Sequence, residues 1–442
     1  MHLPRPGHHR RAPGPAAPYR RRELNDEPLR VSEACAAILR AVSPMPSERV
    51  ELAHALGRIL TDDIVAPIEL PPWDNASMDG YAVRAADVVN AMRASPVQLP
   101  VAGTIAAGAP SGSVLRAGTA LRIMTGAPVP HGADSVIRVE DTDGGSAVVT
   151  IHSERDARRN IRPRGEDIAA GDVAAHAGDV LHPGNIGFIA SLGHGQVQVF
   201  GRPRVAILAS GDELVDIGAF DDVRAGRRIV TSNSYALAAA VEQAGGIPVS
   251  LGHVGDAPDE IRHRLSGAEC DLLITTGGVS VGEFDHTRIV LAELGAEHRF
   301  WRVKIRPGAP LGFGILRGRP WFGLPGNPVS TLVTFELFTR PAIRKMLGHR
   351  LLFRRPVPVT LAEEISIAAP LTHFLRARLE HGPDGPVARL TGPQGSGLMS
   401  SMAQADALLV IPPETPKVAA GQMVAALLLR DEWGYVEHPP AA

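Results

Sequence analysis

An apolar run that ends in a glycine-rich turn constrains the fold of this chain more than any other stretch. Residues 272–274 are Leu-Leu-Ile, and they lead into TTGGVSVGEFD at 275–285. A buried strand, a glycine turn and a helix start together present backbone N–H groups to a phosphate, and the helix dipole reinforces them. A glycine turn alone is weak evidence, because many α/β folds use one only for tight packing.

Two carboxylates, Glu283 and Asp285, follow that turn directly. Carboxylates beside a phosphate repel it unless a cation lies between them. The stretch therefore predicts a phosphorylated ligand together with a divalent metal, and hence an enzyme. The turn residues predicted to bind the ligand are Gly277, Gly278 and Ser280.

Composition limits the classes of protein to which the chain can belong. Its 442 residues predict about three domains, and 44% hydrophobic with 21% charged residues is typical of a soluble globular protein. A net charge of −2 and 4% aromatic residues argue against a nucleic-acid partner. Cys35 and Cys270 lack metal or redox spacing, which favours a reducing compartment. No apolar run reaches the roughly 20 residues of a membrane span. We therefore expect a cytoplasmic protein without a membrane partner.

The pattern along the chain predicts several domains of different texture. Residues 1–28 form a tail rich in Arg and Pro that we expect to be disordered. Short β-branched runs between Gly and Pro predict an inserted β-rich domain at 73–153, flanked by a mixed α/β domain formed by 29–72 with 154–202. The latter includes two predicted helices, 33–42 and 47–56. The all-β pattern of 351–442 predicts a small C-terminal β-barrel or sandwich.

Residues 203–350 give the clearest domain, because strands alternate with helices there. This alternation predicts an α/β domain with a mostly parallel sheet that is covered on both faces. The predicted strands are 205–208, 247–252 and 271–275, and the predicted helices are 234–244, 258–265, 287–294 and 328–347. The fold class is therefore a multidomain α/β and β protein.

Three acidic residues follow strands of this predicted sheet. Glu213, Asp256 and Asp285 each lie just beyond a strand, and ligands of open α/β sheets bind beyond the carboxyl ends of strands. Oxygen ligands gathered there suit a hydrated Mg²⁺ that is shared with phosphate. Alternatively, Asp256 and Asp285 merely cap the helices that follow. Three carboxylates at one edge favour the metal site.

Two further segments suggest anion binding. The turn GLPGNP leads straight into a predicted helix, where Asn327 fits the N-cap and Pro328 fits the first helical position. The N–H groups at the start of this helix form an anion site, or the turn is simply a stable helix start. Arg302, Lys304 and Arg306 alternate along a predicted strand and share one face, which binds an oxyanion or is solvated. The predicted ligand-binding residues here are Pro325, Gly326, Asn327, Pro328, Arg302 and Arg306.

Seven ordered motifs give the chain a recognisable resemblance. They are PPWDNASMDGYAVR, RIMTGAPVP, RPRGEDI, SGDEL, TTGGVSVGEFD, GLPGNPVST and QGSGLMSSM. Together they resemble the molybdopterin molybdenumtransferases, the MoeA-type enzymes of molybdenum cofactor synthesis, over about residues 29–429. The resemblance implies that adenylylated molybdopterin and molybdate react to give molybdenum cofactor and AMP, with Mg²⁺ required. It also implies elongated four-domain homodimers with active sites between subunits, and possible transfer partners in the pathway.

The motif match also implies roles for individual residues. The positions that match catalytic residues are Asp79, Thr125, Glu213, Asp256 and Asp285. Arg162 and Asp167 match residues of the same cleft, Pro325 and Pro328 match the molybdopterin pocket, and Ser396 matches a polar residue of the C-terminal domain. Family members often have two lysines in a KPGKP pattern where this chain has Arg306 and Ala309. Because Arg is a planar donor rather than a point charge, this replacement bears on the affinity for molybdate or on its discrimination from tungstate or sulfate, and the sequence does not say which anion is preferred.

Two other functions compete with molybdenum insertion. Residues 204–348 alone also resemble the single-domain enzymes that adenylylate molybdopterin, although the β-rich and C-terminal domains argue against that activity. A non-catalytic molybdopterin-binding scaffold is the other alternative, and it would be expected to lack the acidic residues at the strand ends. Incubation with molybdopterin and ATP separates the two enzymes, because one makes the adenylylated compound and the other consumes it.

Overall fold

The computed structural model describes residues 27–110, 112–277, 286–367 and 370–434, which fall into two units. The large unit comprises residues 27–45 and 202–434, and the small unit comprises residues 46–201. Within these ranges, no helix is long and apolar enough to span a membrane. The helices are α1 (Val31–Ala41), α2 (Pro183–Ser191), α3 (Phe220–Arg224), α4 (Ser232–Gln243), α5 (Pro258–Ser266), α6 (His286–Glu293), α7 (Pro328–Thr334), α8 (Arg340–Met346) and α9 (Met399–Ala403).

The strands divide between the two units in chain order. Those of the small unit are β1 (Ser47–Glu51), β2 (Ile64–Val65), β3 (Asn75–Ala76), β4 (Gly80–Val83), β5 (Met92–Ile105), β6 (Ala120–Ile123), β7 (Ser135–Arg138), β8 (Val148–Ser153), β9 (Ile161–Arg162), β10 (Val173–Ala175) and β11 (Gln196–Phe200). Those of the large unit are β12 (Arg204–Ser210), β13 (Leu214–Val215), β14 (Ile229–Val230), β15 (Ile247–Val254), β16 (Leu272–Thr276), β17 (Glu297–Arg302), β18 (Ile305–Arg306), β19 (Pro310–Leu316), β20 (Arg319–Leu324), β21 (Val357–Leu361), β22 (Ile365–Ser366), β23 (Thr372–Gly382), β24 (Gly385–Leu390), β25 (Ala407–Ile411), β26 (Lys417–Val418) and β27 (Met423–Leu428).

The large unit is built on a six-stranded sheet with the order β15-β12-β16-β20-β19-β17. The first four strands run parallel to one another. At one side of the sheet, β19 pairs antiparallel with β20, and β17 pairs antiparallel with β19. Strand β16 is buried along its whole length, as expected of a central parallel strand covered on both faces. One core cluster packs helices α5 and α6 against the sheet around Trp301 and Trp321. The predicted, mostly parallel α/β sheet is confirmed.

The C-terminal part of the large unit is a small closed barrel. Strands β23, β24, β21, β27 and β25 pair in that order, and β25 pairs back with β23 to close the ring. Closure leaves no edge among these five strands, and β18 pairs with β23 from outside the ring. The predicted small β-barrel is therefore confirmed.

The small unit is rich in short strands, as the sequence predicts. A five-stranded sheet has the order β7-β4-β6-β5-β8, and three two-stranded pairings join β1 to β11, β2 to β10 and β3 to β9. Tyr81 and Ile137 are fully buried in its main core. Asp79 lies directly before β4 and Thr125 lies just after β6, so the five-stranded sheet positions these two motif residues.

Three features differ from the sequence predictions. The predicted helix at 47–56 is wrong: strand β1 and a 3₁₀ turn at Leu52–His54 occupy it, because antiparallel pairing with β11 overrides the helical propensity of this segment. Helix α1 lies in the large unit, where Cys35 Sγ donates to the carbonyl of Leu337 at 3.7 Å, rather than with 46–72. The predicted helix 328–347 is interrupted by a π-helical turn at Phe335–Thr339.

Candidate functional site

Four neighbouring parallel strands bring the motif residues of the large unit to one edge of the sheet. Strands β15, β12, β16 and β20 end at residues 254, 210, 276 and 324, with their carboxyl ends at the same edge. The segments that follow are 255–256, 211–213, Gly277 and 325–328. This is the edge at which open α/β sheets bind ligands.

A cavity of about 620 Å³ opens at this edge. It is large enough for a phosphorylated heterocyclic ligand. The residues that line it are Ala209, Ser210, Glu213, Leu214, Ile229, Val230, Thr231, Ser232, Asn233, Thr276, Gly277, Pro310, Pro325, Gly326, Asn327, Pro328, Gly397 and Met399. Six of the predicted site residues belong to this wall: Glu213, Gly277, Pro325, Gly326, Asn327 and Pro328. We call it the substrate cavity.

Gly277 allows the ends of β12 and β16 to approach closely. Its φ of +89° lies in the left-handed region, and a Cβ built on it would lie 2.2 Å from the carbonyl oxygen of Ser210. Neither the backbone conformation nor the contact suits another residue. The close approach explains why a glycine stands at this position, whereas its contact with a ligand stays a prediction.

Asn233, near the start of α4, joins three segments of the cavity wall. Its Nδ2 donates to Thr276 Oγ1 at 3.0 Å and to the carbonyl oxygen of Gly326 at 2.7 Å. Thr276 Oγ1 in turn donates to the carbonyl oxygen of Pro325 at 3.1 Å. These bonds fix the start of α4, the end of β16 and the turn before α7 relative to one another.

The turn before α7 has the predicted helix-start geometry but a different capping contact. Pro328 occupies the first turn, and Asn327 is the N-cap residue without a side-chain capping bond. Instead, Asn327 Nδ2 donates to Ser396 Oγ at 3.1 Å, and Val329 N donates to the Ser396 carbonyl oxygen at 3.0 Å. Ser396 thus joins the barrel to the cavity wall.

The buried side chain of Arg376 holds this loop of the barrel by hydrogen bonds. Its side chain is 0% exposed, and its guanidinium donates to the carbonyl oxygens of residues 393, 394 and 395 at 3.0–3.3 Å and to Ser401 Oγ at 3.0 Å. Burial lowers the pKa of Arg376. The loop that presents Ser396 therefore depends on a buried cation satisfied by neutral acceptors.

The acidic residues at the strand ends come together in part. Burial, and then the nearby carboxylates of Asp212 and Glu213, raise the pKa of Asp256. Asp256 N also donates to Asp212 Oδ1 at 3.0 Å. Helix α5 begins after the N-cap residue Ala257 and has no side-chain cap, so Asp256 is not that helix's capping residue. Mutual repulsion among these oxygen donors is a property that a bound cation relieves.

Part of the predicted site lies outside the described residues. Gly278, Ser280, Glu283 and Asp285 all fall in the undescribed segment 278–285. Among the residues with a described position, no three acidic, His or Cys side chains are placed to hold a metal ion. The Mg²⁺ set of Glu213, Asp256 and Asp285 therefore stays a prediction.

The basic residues do not form one strand face. Arg302 ends β17, which pairs with β19, whereas Arg306 lies in β18, which pairs with β23. Both are exposed, and Lys304 between them lies 3.3 Å from Glu27. Neither Arg302 nor Arg306 lines the substrate cavity. The predicted shared strand face is therefore wrong, because the partner strands of β17 and β18 belong to different sheets.

In the small unit, the structure pairs two predicted catalytic residues. Asp79 Oδ1 accepts hydrogen bonds from Thr125 N and from Thr125 Oγ1, both at 2.7 Å. These bonds, and then the charge of Arg122, lower the pKa of Asp79. A carboxylate held this way on an exposed loop stays ionised and keeps its second oxygen available.

Arg162 lies at the end of the short strand β9, and Asp167 lies in the loop that follows it. Arg162 is paired with Asn75 in the β3–β9 ladder, and Asp167 N donates to the carbonyl oxygen of Leu70 at 2.9 Å. Both side chains are exposed. The Asn75 side-chain oxygen is buried and has no hydrogen-bond partner among the described residues.

Sequence reasoning missed Thr231, Asn233, Thr276 and Arg376. A signal existed for the first two, because an apolar pair at 229–230 is followed by the polar run TSNS at a helix start. Thr276 lies within the recognised turn motif, but nothing in that motif distinguishes it from the threonine before it. Arg376 gives no local signal, since it lies on a strand that is buried on both faces at 373–377.

Comparison with known proteins gives matches along nearly the whole described chain. Residues 29–193 match the MoeA N-terminal region (domain I and II), residues 206–345 match a probable molybdopterin binding domain, and residues 358–429 match the MoeA C-terminal region (domain IV). The substrate cavity lies mostly within the second of these regions. The fold and site thus define a molybdopterin-binding protein of the MoeA type.

Individual relatives agree with these matches. The chain is 39% identical to molybdopterin molybdenumtransferase 2 of Mycobacterium tuberculosis over 87% of this chain and 95% of that protein. It is 33% identical to molybdopterin molybdenumtransferase of Staphylococcus aureus over 92% and 96%. The crystal structure of a molybdopterin biosynthesis MoeA protein from Pyrococcus horikoshii covers 91% of this chain and is itself fully covered, with a TM-score of 0.78 and 29% identity. The chain belongs to the MoeA family of molybdopterin molybdenumtransferases, which confirms the resemblance.

Proposed function

We propose that this protein transfers molybdenum from molybdate to adenylylated molybdopterin, releases AMP and forms molybdenum cofactor. The substrate cavity is the observation that carries the proposal. It combines a glycine turn, two helix starts and a carboxylate at the end of parallel strands, within the region that matches a molybdopterin binding domain. Close relatives named molybdopterin molybdenumtransferase support the reaction class.

The chain's own residues contribute binding and orientation in this proposal. The start of α4 at residues 231–233 lines the cavity, and the N-terminal end of a helix suits phosphate oxygens. The turn at 325–328 supplies shape rather than many donors, because Pro325 and Pro328 have no N–H and Val329 N already donates to the Ser396 carbonyl oxygen. The bonds of Asn233 hold both segments in position, so little reorganisation is needed when the ligand binds. Ser396 presents a further hydroxyl from the barrel side.

The carboxylates fit a divalent cation by their chemistry. Glu213 and Asp256, joined by Asp285, are the residues that we propose to hold Mg²⁺, because Mg²⁺ prefers hard oxygen donors. Burial, and then the carboxylates of Asp212 and Glu213, raise the pKa of Asp256. When bound, Mg²⁺ would offset negative charge on the departing AMP phosphate. In the small unit, we propose that Asp79, which is ionised and held by Thr125, is a catalytic residue together with Thr125.

We also propose a cytoplasmic homodimer, as the motif resemblance implies. Arg162, Asp167, Arg302 and Arg306 are proposed substrate contacts whose exposed side chains are available to ligand. The two cysteines described in the structure are unpaired, in keeping with a reducing compartment.

The test is a direct assay of AMP release. Purified protein is incubated with adenylylated molybdopterin, molybdate and Mg²⁺, and AMP and molybdenum cofactor are quantified. We expect both products to appear together and to depend on molybdate. A parallel incubation with molybdopterin and ATP is the control, and formation of the adenylylated compound there would replace the proposal with adenylylation. Binding without turnover would instead indicate a scaffold.

A further inference from the structure

A second cavity lies in the large unit, between its helices and the barrel. Its volume is about 240 Å³, and Met399 is its one lining residue in common with the substrate cavity. The residues that line it are Ala240, Gln243, Leu332, Phe335, Glu336, Arg340, Arg354, Met399, Met402, Ala403, Ala405, Leu429 and Arg430. None of these is among the predicted site residues, and none is needed for the proposed reaction.

A shared carboxylate leaves one wall of this cavity positively charged. Glu336 accepts from Arg340 Nε at 2.7 Å and from Arg354 Nε at 2.6 Å. The side chains of Glu336 and Arg340 are 8% and 9% exposed, so water screens their charges little. Two guanidinium groups and one carboxylate carry a net charge of +1. Arg430 adds no net charge, because Asp406 lies 3.5 Å from it.

Arg354 keeps its most useful hydrogen-bonding edge unused. Its Nε bonds to Glu336, whereas within the described ranges neither Nη1 nor Nη2 donates to a protein acceptor. Two parallel N–H groups on one planar edge match the two oxygens of a carboxylate. The wall therefore presents a bidentate site with one uncompensated positive charge.

Most of the other residues that line the cavity are apolar. Leu332, Phe335, Met402 and Leu429 line it together with Met399. The π-helical turn at Phe335–Thr339 begins with Phe335 and Glu336, so neighbouring residues supply an apolar wall and the anchor of both arginines. Such π-helical turns recur at functional sites. A ligand for this cavity needs an anionic end and a short apolar body.

We propose that this cavity is a binding site for a small organic monocarboxylate. The carboxylate accepts from the Nη1 and Nη2 groups of Arg354, and the hydrocarbon part packs against Phe335, Met402 and Leu429. The net charge of +1 favours a monoanion, and the apolar walls favour an organic acid over an inorganic anion. The site does not depend on the reaction proposed above.

The test is calorimetric titration of the full chain with hexanoate, alongside two arginine variants. We expect saturable binding that Arg354→Gln weakens about tenfold or more, because the bidentate charged contact is lost. Arg355→Gln is the matched control, since Arg355 is exposed, adjacent and outside the cavity lining, and it should leave the affinity unchanged. Equal affinity in both variants, or no binding to the unchanged protein, overturns the proposal.

A second variant covers the case in which Arg354→Gln fails to fold. Ala240→Leu adds volume from helix α4 to the cavity lining without removing a charge, and it should abolish hexanoate binding while circular dichroism stays unchanged. Sulfate is the second probe. Sulfate binding as tight as that of hexanoate would overturn the assignment to carboxylates. If hexanoate still binds to Ala240→Leu, its site is not this cavity, and the proposal is overturned.

Discussion

Gly277→Ala is the substitution whose effect the structure predicts most sharply. The new methyl group would lie 2.2 Å from the Ser210 carbonyl oxygen, whereas ordinary van der Waals contact begins at 3.4 Å. The contact is with backbone at the buried ends of two paired parallel strands, β12 and β16, and not with a flexible side chain. The strand ends must therefore move apart.

The magnitude has two parts. A left-handed φ of +89° costs alanine about 1–2 kcal/mol. Displacing buried backbone adds about 1–3 kcal/mol, by analogy with overpacked cores. Gly277→Ala should therefore lower the free energy of unfolding by about 2–5 kcal/mol. Because Gly277 lines the substrate cavity, AMP release should also fall, on the order of 100-fold for a misplacement near 1 Å.

Gly295→Ala is the matched control. Gly295 has nearly the same φ, +87°, but no atom lies within 4 Å of the position that a Cβ would take there, so only the conformational cost remains. Urea denaturation followed by tryptophan fluorescence is the assay, because Trp301 and Trp321 are buried in the core of the same unit. If the two variants lose equal stability, the close approach of Gly277 to Ser210 is refuted.

Three further substitutions test the carboxylates and the barrel loop. Asp256→Asn should raise the melting temperature at neutral pH without Mg²⁺, because the raised pKa of Asp256 means that its charged form destabilises the fold above the unfolded pKa. The same variant should slow AMP release, and a lower melting temperature contradicts the prediction. Asp79→Asn should destabilise the small unit at neutral pH but less in acid, because a lowered pKa gives stability that is lost as pH falls through the pKa of the folded state. If urea denaturation gives the same loss of unfolding free energy at every pH, the bonds from Thr125 do not hold Asp79 ionised. Arg376→Lys should lower the free energy of unfolding by about 2–4 kcal/mol in the same assay and slow AMP release, since an ammonium cannot satisfy all the carbonyls that position Ser396. Unchanged stability and activity would show that the loop keeps its conformation without the guanidinium.

Local patterns in the sequence were sufficient for the architecture of the large unit and for part of its site. Alternating strand and helix periods predict a parallel sheet, and in such a sheet the strand ends necessarily share an edge, which places Glu213 and Gly277 together. Helix starts such as 325–328 are also local, because the N-cap and first-turn residues determine them. The ordered motifs identified the family for the same reason, since each is a short continuous segment.

Contacts between distant residues were decided only by the tertiary structure. Residues 47–51 form a strand because β11, about 150 positions later, pairs with them, and Arg302 and Arg306 separate because their partner strands belong to different sheets. Asn233 meets Gly326 across 93 positions. Arg376 gains its role from a loop that folds over it. No periodicity encodes such contacts, because a hydrogen bond between remote segments depends on where packing places both of them.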